Sequence, residues 1–292
     1  MKSPIWFFTL LLFAFGFIYS FDTYSQEQEE QSLLWKISSP DLKAPSYLFG
    51  TIHMICKDDY VWTKEMQQSL AACKKVCFEM DLDDPSLMTS IAIGMIDASG
   101  KQLKDYFKKE DYQKLTDYIA DSLGMDITMF QQMKPMALIS LFSTQAVTCS
   151  TPLAYETEIM KTVSEKGVEI IGLEEAKEQL ALFDQMPVDS VIAELLSVIN
   201  NEGNSVEEYE EMVAAYKRQD INKLSSIIEA SRIKGDQIAI FLDNRNIRWI
   251  ERMTEMMEQS SVFFAVGAGH LVGPNGLITL LRQEGYTLTP IK

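Results

Sequence analysis

The chain has 292 residues, of which 47% are hydrophobic, and a formal net charge of -16 at pH 7. This length and composition suffice for a large buried core and argue against a disordered chain. The strong negative charge repels phosphate backbones and anionic lipid headgroups, so nucleic acid is not expected as a partner and docking to an anionic membrane surface is disfavoured.

Residues 1–25 are predicted to form a secretory signal peptide. A basic residue opens the segment, an apolar stretch runs from Pro4 to Phe21, and small residues favour cleavage before Gln26. The alternative is an uncleaved membrane anchor, because the apolar stretch approaches the roughly 18 residues that begin to span a bilayer. We therefore expect an exported protein, periplasmic or extracellular, with residues 26–292 as a single domain. Its membrane contact would be limited to this segment, if the segment stays uncleaved.

The first half of the domain is predicted to start as a hairpin and to continue as loop, helix and strand. "LLWKISS" and "SYLFGTIH" have the pattern of two strands joined by a turn through Pro40 and Pro45, and "TKEMQQSLAAC" and "KKVCFEMDL" have helix and strand patterns. From Pro85 to about Thr148 nearly every segment is helical in pattern, with Gly124 as one helix end.

The second half repeats the alternation of helix and strand. "YETEIMKTVSEKG" is predicted as a helix that leads into the strand "VEIIGLE", and a second helical block runs from Glu175 to about Met257. "SSVFFAVGAGHL" has the apolar run of a buried strand, "NGLITLLRQEG" is predicted as a helix and "YTLTPI" as the last strand. The predicted fold is α/β, with a central mixed sheet from two pseudo-duplicated halves and a large helical insertion between them.

The four cysteines are too few for a disulfide scaffold, although an exported protein could form one or two bridges. Their spacing does not give the connectivity. Cys73 and Cys77 have no matching second pair, which argues against a structural zinc site. The cysteines are Cys56, Cys73, Cys77 and Cys149.

The two histidines of the chain each lie in a Gly-x-x-His at the end of a strand-like stretch. His53 ends "LFGTIH" and His270 lies in "VGAGHL". Loops beyond the carboxyl ends of parallel strands carry the sites of α/β proteins. Two imidazoles brought together there could bind a divalent metal ion or act as an acid/base pair. The alternative is that each histidine has a structural, hydrogen-bonded role.

Three charged residues accompany the histidines as candidates. Glu79 lies at the end of a strand between apolar neighbours, so burial, a metal ion or an arginine would control its ionisation. Glu174 is a second strand-end carboxylate, but Glu175 and Lys177 beside it favour a helix-capping role. Arg245 follows "FLDN" on an apolar helix, and we expect it to be buried with a carboxylate partner.

Five segments, in order from about Leu34 to the C-terminus, resemble the TraB/GumN family, which is related to the Tiki proteases. They are "YLFGTIHM", "VCFEMDL", "YETEIMKTVSEKGVEIIGLEEAKEQLALF", "DNRNIRWIERM" and "FFAVGAGHLVGPNGLITLLRQEGYTLTPI". The resemblance implies an erythromycin esterase/ChaN-like α/β fold with duplicated halves. The residues that match the family's motifs are His53, His270, Glu79, Arg245, Asn246 and Glu174.

The resemblance implies an exported, metal-dependent hydrolase that acts on peptides or protein termini. His53, His270 and Glu79 would bind one divalent ion of unknown identity, with Glu79 alternatively as general base. Arg245 would steady a site carboxylate or stabilise transition-state charge. Cys56 could add a ligand or form a disulfide. Two alternatives stay open: metal-independent, esterase-like hydrolysis with a histidine as base, and non-catalytic binding of a peptide or a haem-like ligand.

Overall fold

A computed structural model describes residues 31–200, 205–230 and 236–292. The predicted signal peptide lies outside these residues. Along the part of the chain that is described, no helix is both long and apolar enough to cross a membrane.

A six-stranded mixed sheet forms the centre of the fold. Its strands are β1 (Leu34–Ser38), β2 (Ser46–Thr51), β4 (Lys75–Met80), β6 (Glu169–Glu174), β7 (Val262–Gly267) and β8 (Thr287–Ile291). The order across the sheet is β6, β4, β7, β2, β1, β8. The first four run parallel, whereas β1 is antiparallel to both β2 and β8. The predicted α/β class and the predicted hairpin are therefore confirmed.

Strand β7 lies in the middle of the sheet and is buried. Its residues "VFFAV" are all buried, as expected for a parallel strand that is covered by helices on both faces. Trp249 and Met253, from the long helix that precedes the strand, are fully buried in the same core. The continuous apolar run that predicts a buried strand thus corresponds to the middle of the sheet.

Helices connect the strands and form a second, smaller core. They are α1 (Lys64–Ala71), α2 (Leu87–Gly94), α3 (Lys109–Leu123), α4 (Pro135–Ser143), α5 (Tyr155–Ser164), α6 (Ala176–Leu180), α7 (Val188–Ile199), α8 (Ser205–Lys217), α9 (Ile221–Ala230), α10 (Asp236–Ile238), α11 (Asn244–Gln259) and α12 (Leu277–Gln283). A π-helical turn, Ala239–Asp243, joins α10 to α11. The helical insertion has its own core, in which Leu115, Leu138 and Leu195 are fully buried. Gly124 ends α3 in the left-handed conformation, as its position predicts.

The register of the parallel strands brings their carboxyl ends to one edge of the sheet. Thr51 at the end of β2 is paired with Gly267 at the end of β7, and Met80 of β4 is paired with Glu174 of β6. His53 follows β2 by two residues, and His270 ends a short 3-10 turn directly after β7. Both Gly-x-x-His motifs therefore lie at this carboxyl edge.

A short ladder and a disulfide tie the loop after His53 to the chain before α5. Strands β3 (Ile55–Cys56) and β5 (Pro152–Leu153) pair antiparallel. Cys56 forms a disulfide with Cys149, which closes a sequence separation of 93 residues. Cys73 and Cys77 are free and buried. Cys56 is thus a disulfide cysteine, which was one of the two roles expected for it.

Candidate active site

Arg245, in the first turn of α11, is the centre of a buried cluster at the carboxyl edge. Its Nε donates to Glu174 Oε1 at 3.0 Å, and its Nη2 contacts the same oxygen. Nη2 also donates to Glu79 Oε2 at 2.6 Å, and Nη1 donates to the carbonyl of Phe241 at 3.1 Å. The predicted buried arginine with a carboxylate partner is confirmed, and the structure gives it two such partners.

Trp249, one helical turn after Arg245, packs against the cluster. The guanidinium carbon of Arg245 lies 4.6 Å from the centre of the indole ring, and Trp249 Nε1 donates to Glu174 Oε2 at 3.3 Å. The same indole lies 4.5 Å from the imidazole of His270, measured between ring centres. Trp249 therefore fixes three charged or titratable groups at once. The spacing of four residues from Arg245 to Trp249 was the sequence signal that could have identified it.

Glu79 accepts hydrogen bonds on both of its oxygens. The backbone N–H of Gly267 donates to Oε1 at 2.9 Å, and Gln179 Nε2 donates to Oε2 at 3.3 Å, beside Arg245. A Cβ at position 267 would lie 3.3 Å from Oε1, so glycine leaves the space that the carboxylate uses. Burial works against the ionised form of Glu79. The positive charge of Arg245 and the hydrogen bond from the Gly267 N–H nevertheless keep the pKa of this carboxyl below its ordinary value. Glu79 is a buried, ionised carboxylate.

His270 is a buried, neutral imidazole whose tautomer follows from its partners. Its Nδ1 lies 2.6 Å from Asn246 Oδ1. The amide nitrogen of Asn246 donates to the carbonyls of Asn275 at 2.8 Å and of His270 itself at 3.3 Å, so the Asn246 oxygen must accept and Nδ1 must carry the hydrogen. Burial lowers the pKa of His270 to about 3, with the charge of Arg245 acting in the same direction. The lone pair is therefore on Nε2.

The lone pair of His270 faces the charged cluster. Nε2 lies 3.6 Å from Glu79 Oε1 and 3.3 Å from Arg245 Nη1. The structure thus brings His270, Glu79, Arg245 and Glu174 together, although they come from four separate segments of the chain. A neutral nitrogen lone pair beside an ionised carboxylate can bind a cation or accept a proton.

His53 lies at the rim of the site. Its side chain is 80% exposed, and its Nδ1 is 3.7 Å from Glu156 Oε1. The same oxygen accepts a hydrogen bond from Thr51 Oγ1 at 2.7 Å. The carboxylate of Glu156 raises the pKa of His53 above its ordinary value, and the charge of His53 contributes to the pKa shifts of Glu79 and His270. Sequence reasoning did not identify Glu156.

The helix-capping role expected for Glu174 is wrong. Its side chain is buried and bound by Arg245 and Trp249. Glu175 is the residue that precedes α6, and Glu178 accepts its backbone N–H at 2.8 Å in a capping box. The neighbouring acidic residue therefore performs the capping, which leaves Glu174 for the site.

The residue types at the edge fit a divalent ion, although they are not gathered around one point. Across residues 31–200, 205–230 and 236–292, no group of three or more histidine, cysteine, aspartate or glutamate side chains is placed to hold a metal ion. The chemistry of the donors nevertheless suits one, because His270 offers a neutral Nε2 beside an ionised Glu79. His53 and Glu156 form a second imidazole and carboxylate pair nearby. That His53, Glu79 and His270 share one ion stays a prediction.

The fold is an α/β fold with a mixed sheet, and two strand-end histidines lie beside a buried cluster of carboxylates and an arginine. This arrangement defines a candidate active site of an α/β protein. The chain belongs to the TraB/PrgY/gumN family, whose family model matches residues 33–290. The resemblance seen in the five sequence segments is thereby confirmed.

Curated relatives of the chain include two vertebrate proteins. It is similar to Metalloprotease TIKI2 of Danio rerio, with 24% identity in an alignment that covers 89% of this chain and 61% of the relative. It is also similar to Metalloprotease TIKI1 of Homo sapiens, with 24% identity in an alignment that covers 89% of this chain and 62% of the relative. The chain thus spans about three-fifths of the length of these relatives. No solved structure matches the chain.

Proposed function

We propose that this protein is a metal-dependent hydrolase that cleaves peptides or protein termini. The observation that carries the proposal is the arrangement of His270 and Glu79. A neutral imidazole presents its Nε2 lone pair 3.6 Å from an ionised carboxylate oxygen, at the edge where α/β proteins place their sites. Similarity to proteins named as metalloproteases supports the same function.

The charge of the buried cluster favours a cation. Glu79 and Glu174 contribute two negative charges, Arg245 contributes one positive charge, and His270 is neutral, which leaves one net negative charge. A buried net charge is costly unless it is compensated. A divalent ion held by His270, Glu79 and His53 and carrying an ionised water would add one net positive charge, which would balance the cluster, and that water would be the nucleophile.

Arg245 serves mainly to hold its neighbours in place. Four of its five N–H groups are bound by Glu174, Glu79 and the Phe241 carbonyl, and the fifth, on Nη1, faces His270 Nε2. Only the N–H that faces His270 would be freed when an ion takes the Nε2 lone pair. Of the two roles expected for Arg245, the steadying of site carboxylates is therefore the one we adopt.

Neighbouring residues determine which nitrogen of His270 carries the hydrogen and keep Glu79 ionised. Asn246 keeps the hydrogen of His270 on Nδ1, which leaves Nε2 as a donor atom for an ion. Gly267 and Arg245 keep Glu79 ionised, so its Oε1 can bind an ion or accept a proton from water. The low pKa of His270 makes it a weak base, which speaks against His270 as the base of the metal-independent, esterase-like alternative.

Export is part of the proposal. The first 25 residues have the pattern of a signal peptide, and the Cys56–Cys149 disulfide suits an oxidising compartment outside the cytoplasm. A peptide or protein substrate in that compartment would meet the site without crossing a membrane.

The proposal is tested by metal removal and reconstitution. The mature protein would be treated with a chelator, dialysed, and then supplied with Zn²⁺, Mn²⁺ or Co²⁺ before incubation with a mixed peptide library. We expect cleavage only after metal is restored, and loss of both metal binding and cleavage in His270→Ala. The exposed substitution Gln283→Ala is the control and should match the parent. Equal cleavage by the metal-free protein would contradict the proposal, and absence of cleavage with every metal would favour the binding-protein alternative.

A further inference from the structure

Glu156 is held firmly at the start of α5. Its neighbour Tyr155 is fully buried, and Tyr155 Oη donates to the Val61 carbonyl at 2.9 Å and accepts the Val61 N–H at 3.0 Å. The Glu156 carboxylate accepts the hydroxyl of Thr51, the last residue of β2, at 2.7 Å. Its side chain is 20% exposed. These contacts fix the carboxylate close to the loop that carries His53.

The loop after His53 is tied to the chain that leads into α5. Ile55 pairs with Leu153 in the short ladder, and Lys57 N–H donates to the Thr151 carbonyl at 3.1 Å. The Cys56–Cys149 disulfide closes the same junction covalently. The distance between His53 and Glu156 is thus set by connections on both sides.

The two histidines of the site meet the same kind of partner, a side-chain oxygen from the first turn of a helix. His270 presents Nδ1 to Asn246 Oδ1, from the first turn of α11. His53 presents Nδ1 to Glu156 Oε1, from the first turn of α5. In each case Nδ1 meets the helix oxygen, so Nε2 is the ring nitrogen that would bind an ion. A side-chain oxygen on the second nitrogen is how proteins orient histidines that bind metals.

We propose that Glu156 is the positioning residue of His53. It accepts the hydrogen on Nδ1, orients the ring and leaves Nε2 directed to the site, so it does for His53 what Asn246 does for His270. The 3.7 Å separation shortens to a hydrogen bond when the ring is engaged. The consequence for metal binding rests on the proposed function, whereas the contact between Glu156 and the ring does not.

Glu158 provides a matched control. It is also an acidic residue in the first turn of α5, but its partner is Lys161 at 2.7 Å. Glu158→Gln therefore makes the same change of charge at the same helix end as Glu156→Gln. A simple effect on the helix dipole would appear equally in both variants.

The first test observes the ring directly in metal-free protein at one fixed pH. Because the chain has two histidines, ¹⁵N labelling gives two imidazole ring systems, which His53→Ala assigns. We expect Glu156→Ala to shift the Nδ1 resonance of His53 and to leave the His270 ring unchanged, with a smaller shift in Glu156→Gln, which keeps an acceptor oxygen. Glu158→Gln should leave both rings unchanged. Identical His53 spectra in the parent and in folded Glu156→Ala would overturn the proposal.

The second test measures the affinity for Zn²⁺ by calorimetry. Loss of an outer partner of a metal-binding histidine typically weakens binding by about 10–100-fold, and we expect a loss of this order in Glu156→Ala, a smaller loss in Glu156→Gln and none in Glu158→Gln. If the parent binds no Zn²⁺ and cleaves no peptide, the proposed function fails and the ring spectra alone decide the role of Glu156. If the parent binds and cleaves while Glu156→Ala equals it in affinity, the positioning role fails alone.

Discussion

Asn246 binds His270 twice, through its side-chain oxygen to Nδ1 at 2.6 Å and through its amide nitrogen to the backbone carbonyl at 3.3 Å. Both partners are buried, so the contact fixes the ring, its tautomer and the turn that carries it. The residue that follows Arg245 in the chain therefore determines which nitrogen of His270 is available for chemistry.

Asn246→Ala is expected to lower the free energy of unfolding by about 1–3 kcal/mol, because the buried His270 and the partly buried carbonyl of Asn275 lose their partners. It should also weaken Zn²⁺ binding, since the hydrogen of His270 is no longer confined to Nδ1. Urea unfolding and calorimetry measure the two effects. Parent-like stability together with parent-like affinity would show that the contact is dispensable.

Arg245→Ala is expected to destabilise the fold by about 3–5 kcal/mol, because it leaves Glu79 and Glu174 buried without their cation. Arg245→Lys should recover part of this loss, since it restores the charge but not the planar fork of donors. Chemical denaturation at neutral pH provides the measurement. Arg248→Ala, an exposed position on the same helix, is the control and should stay within about 0.5 kcal/mol of the parent. A loss below about 1 kcal/mol in Arg245→Ala would contradict the pairing.

Glu178 gives the protein an acid-sensitive contribution to stability. Hydrogen bonds from Arg252 at 2.8 and 3.1 Å lower the pKa of Glu178 to about 2. Because this pKa is lower in the folded than in the unfolded chain, the stabilisation is present above the unfolded value of about 4.3 and is lost as the pH falls toward 2. Glu178→Gln should cost about 1 kcal/mol at pH 7, given the partial exposure of the pair, and progressively less below pH 4.

Urea unfolding of the parent and of Glu178→Gln between pH 7 and pH 3 checks this pH dependence. Glu258→Gln, an exposed carboxylate on α11, is the control for a change in net charge. A stability difference that stays constant over the whole range would rule out the linkage.

The cysteines should divide into two chemical classes. Cys56 and Cys149 are bonded to each other, and burial raises the pKa of both Cys73 and Cys77. Iodoacetamide should therefore leave the folded, unreduced protein unlabelled and should add two groups per chain after unfolding, as read by mass spectrometry. Replacement of both Cys56 and Cys149 by serine should cost about 2–5 kcal/mol. Labelling of four thiols in unreduced, unfolded protein would contradict the disulfide.

The sequence predicted those features that depend on neighbouring residues. The apolar run of β7, the hairpin of β1 and β2, and the end of α3 at Gly124 all follow from local patterns. The motif residues at the carboxyl edge were identifiable because glycine, histidine and strand-end glutamate occur at fixed short spacings. Their sharing of one ion is not decided by the same patterns.

Features that depend on distant partners were missed or misassigned. Glu174 has capping neighbours in sequence, but its burial is set by Arg245, 71 residues later. Glu156 lies 105 residues from Thr51, so nothing near it in the chain indicates that it borders the site. Such roles follow from the strand order of the sheet, which no local pattern specifies.

The place of β7 in the sheet also has a consequence for biosynthesis. It is the strand that pairs with both β2 and β4, yet it begins only at Val262, far along the chain from both of them. Until that segment leaves the ribosome, the two halves of the sheet have no strand to join them and long stretches of apolar surface stay uncovered. The sheet can therefore close only after the segment Val262–Gly267 has been made.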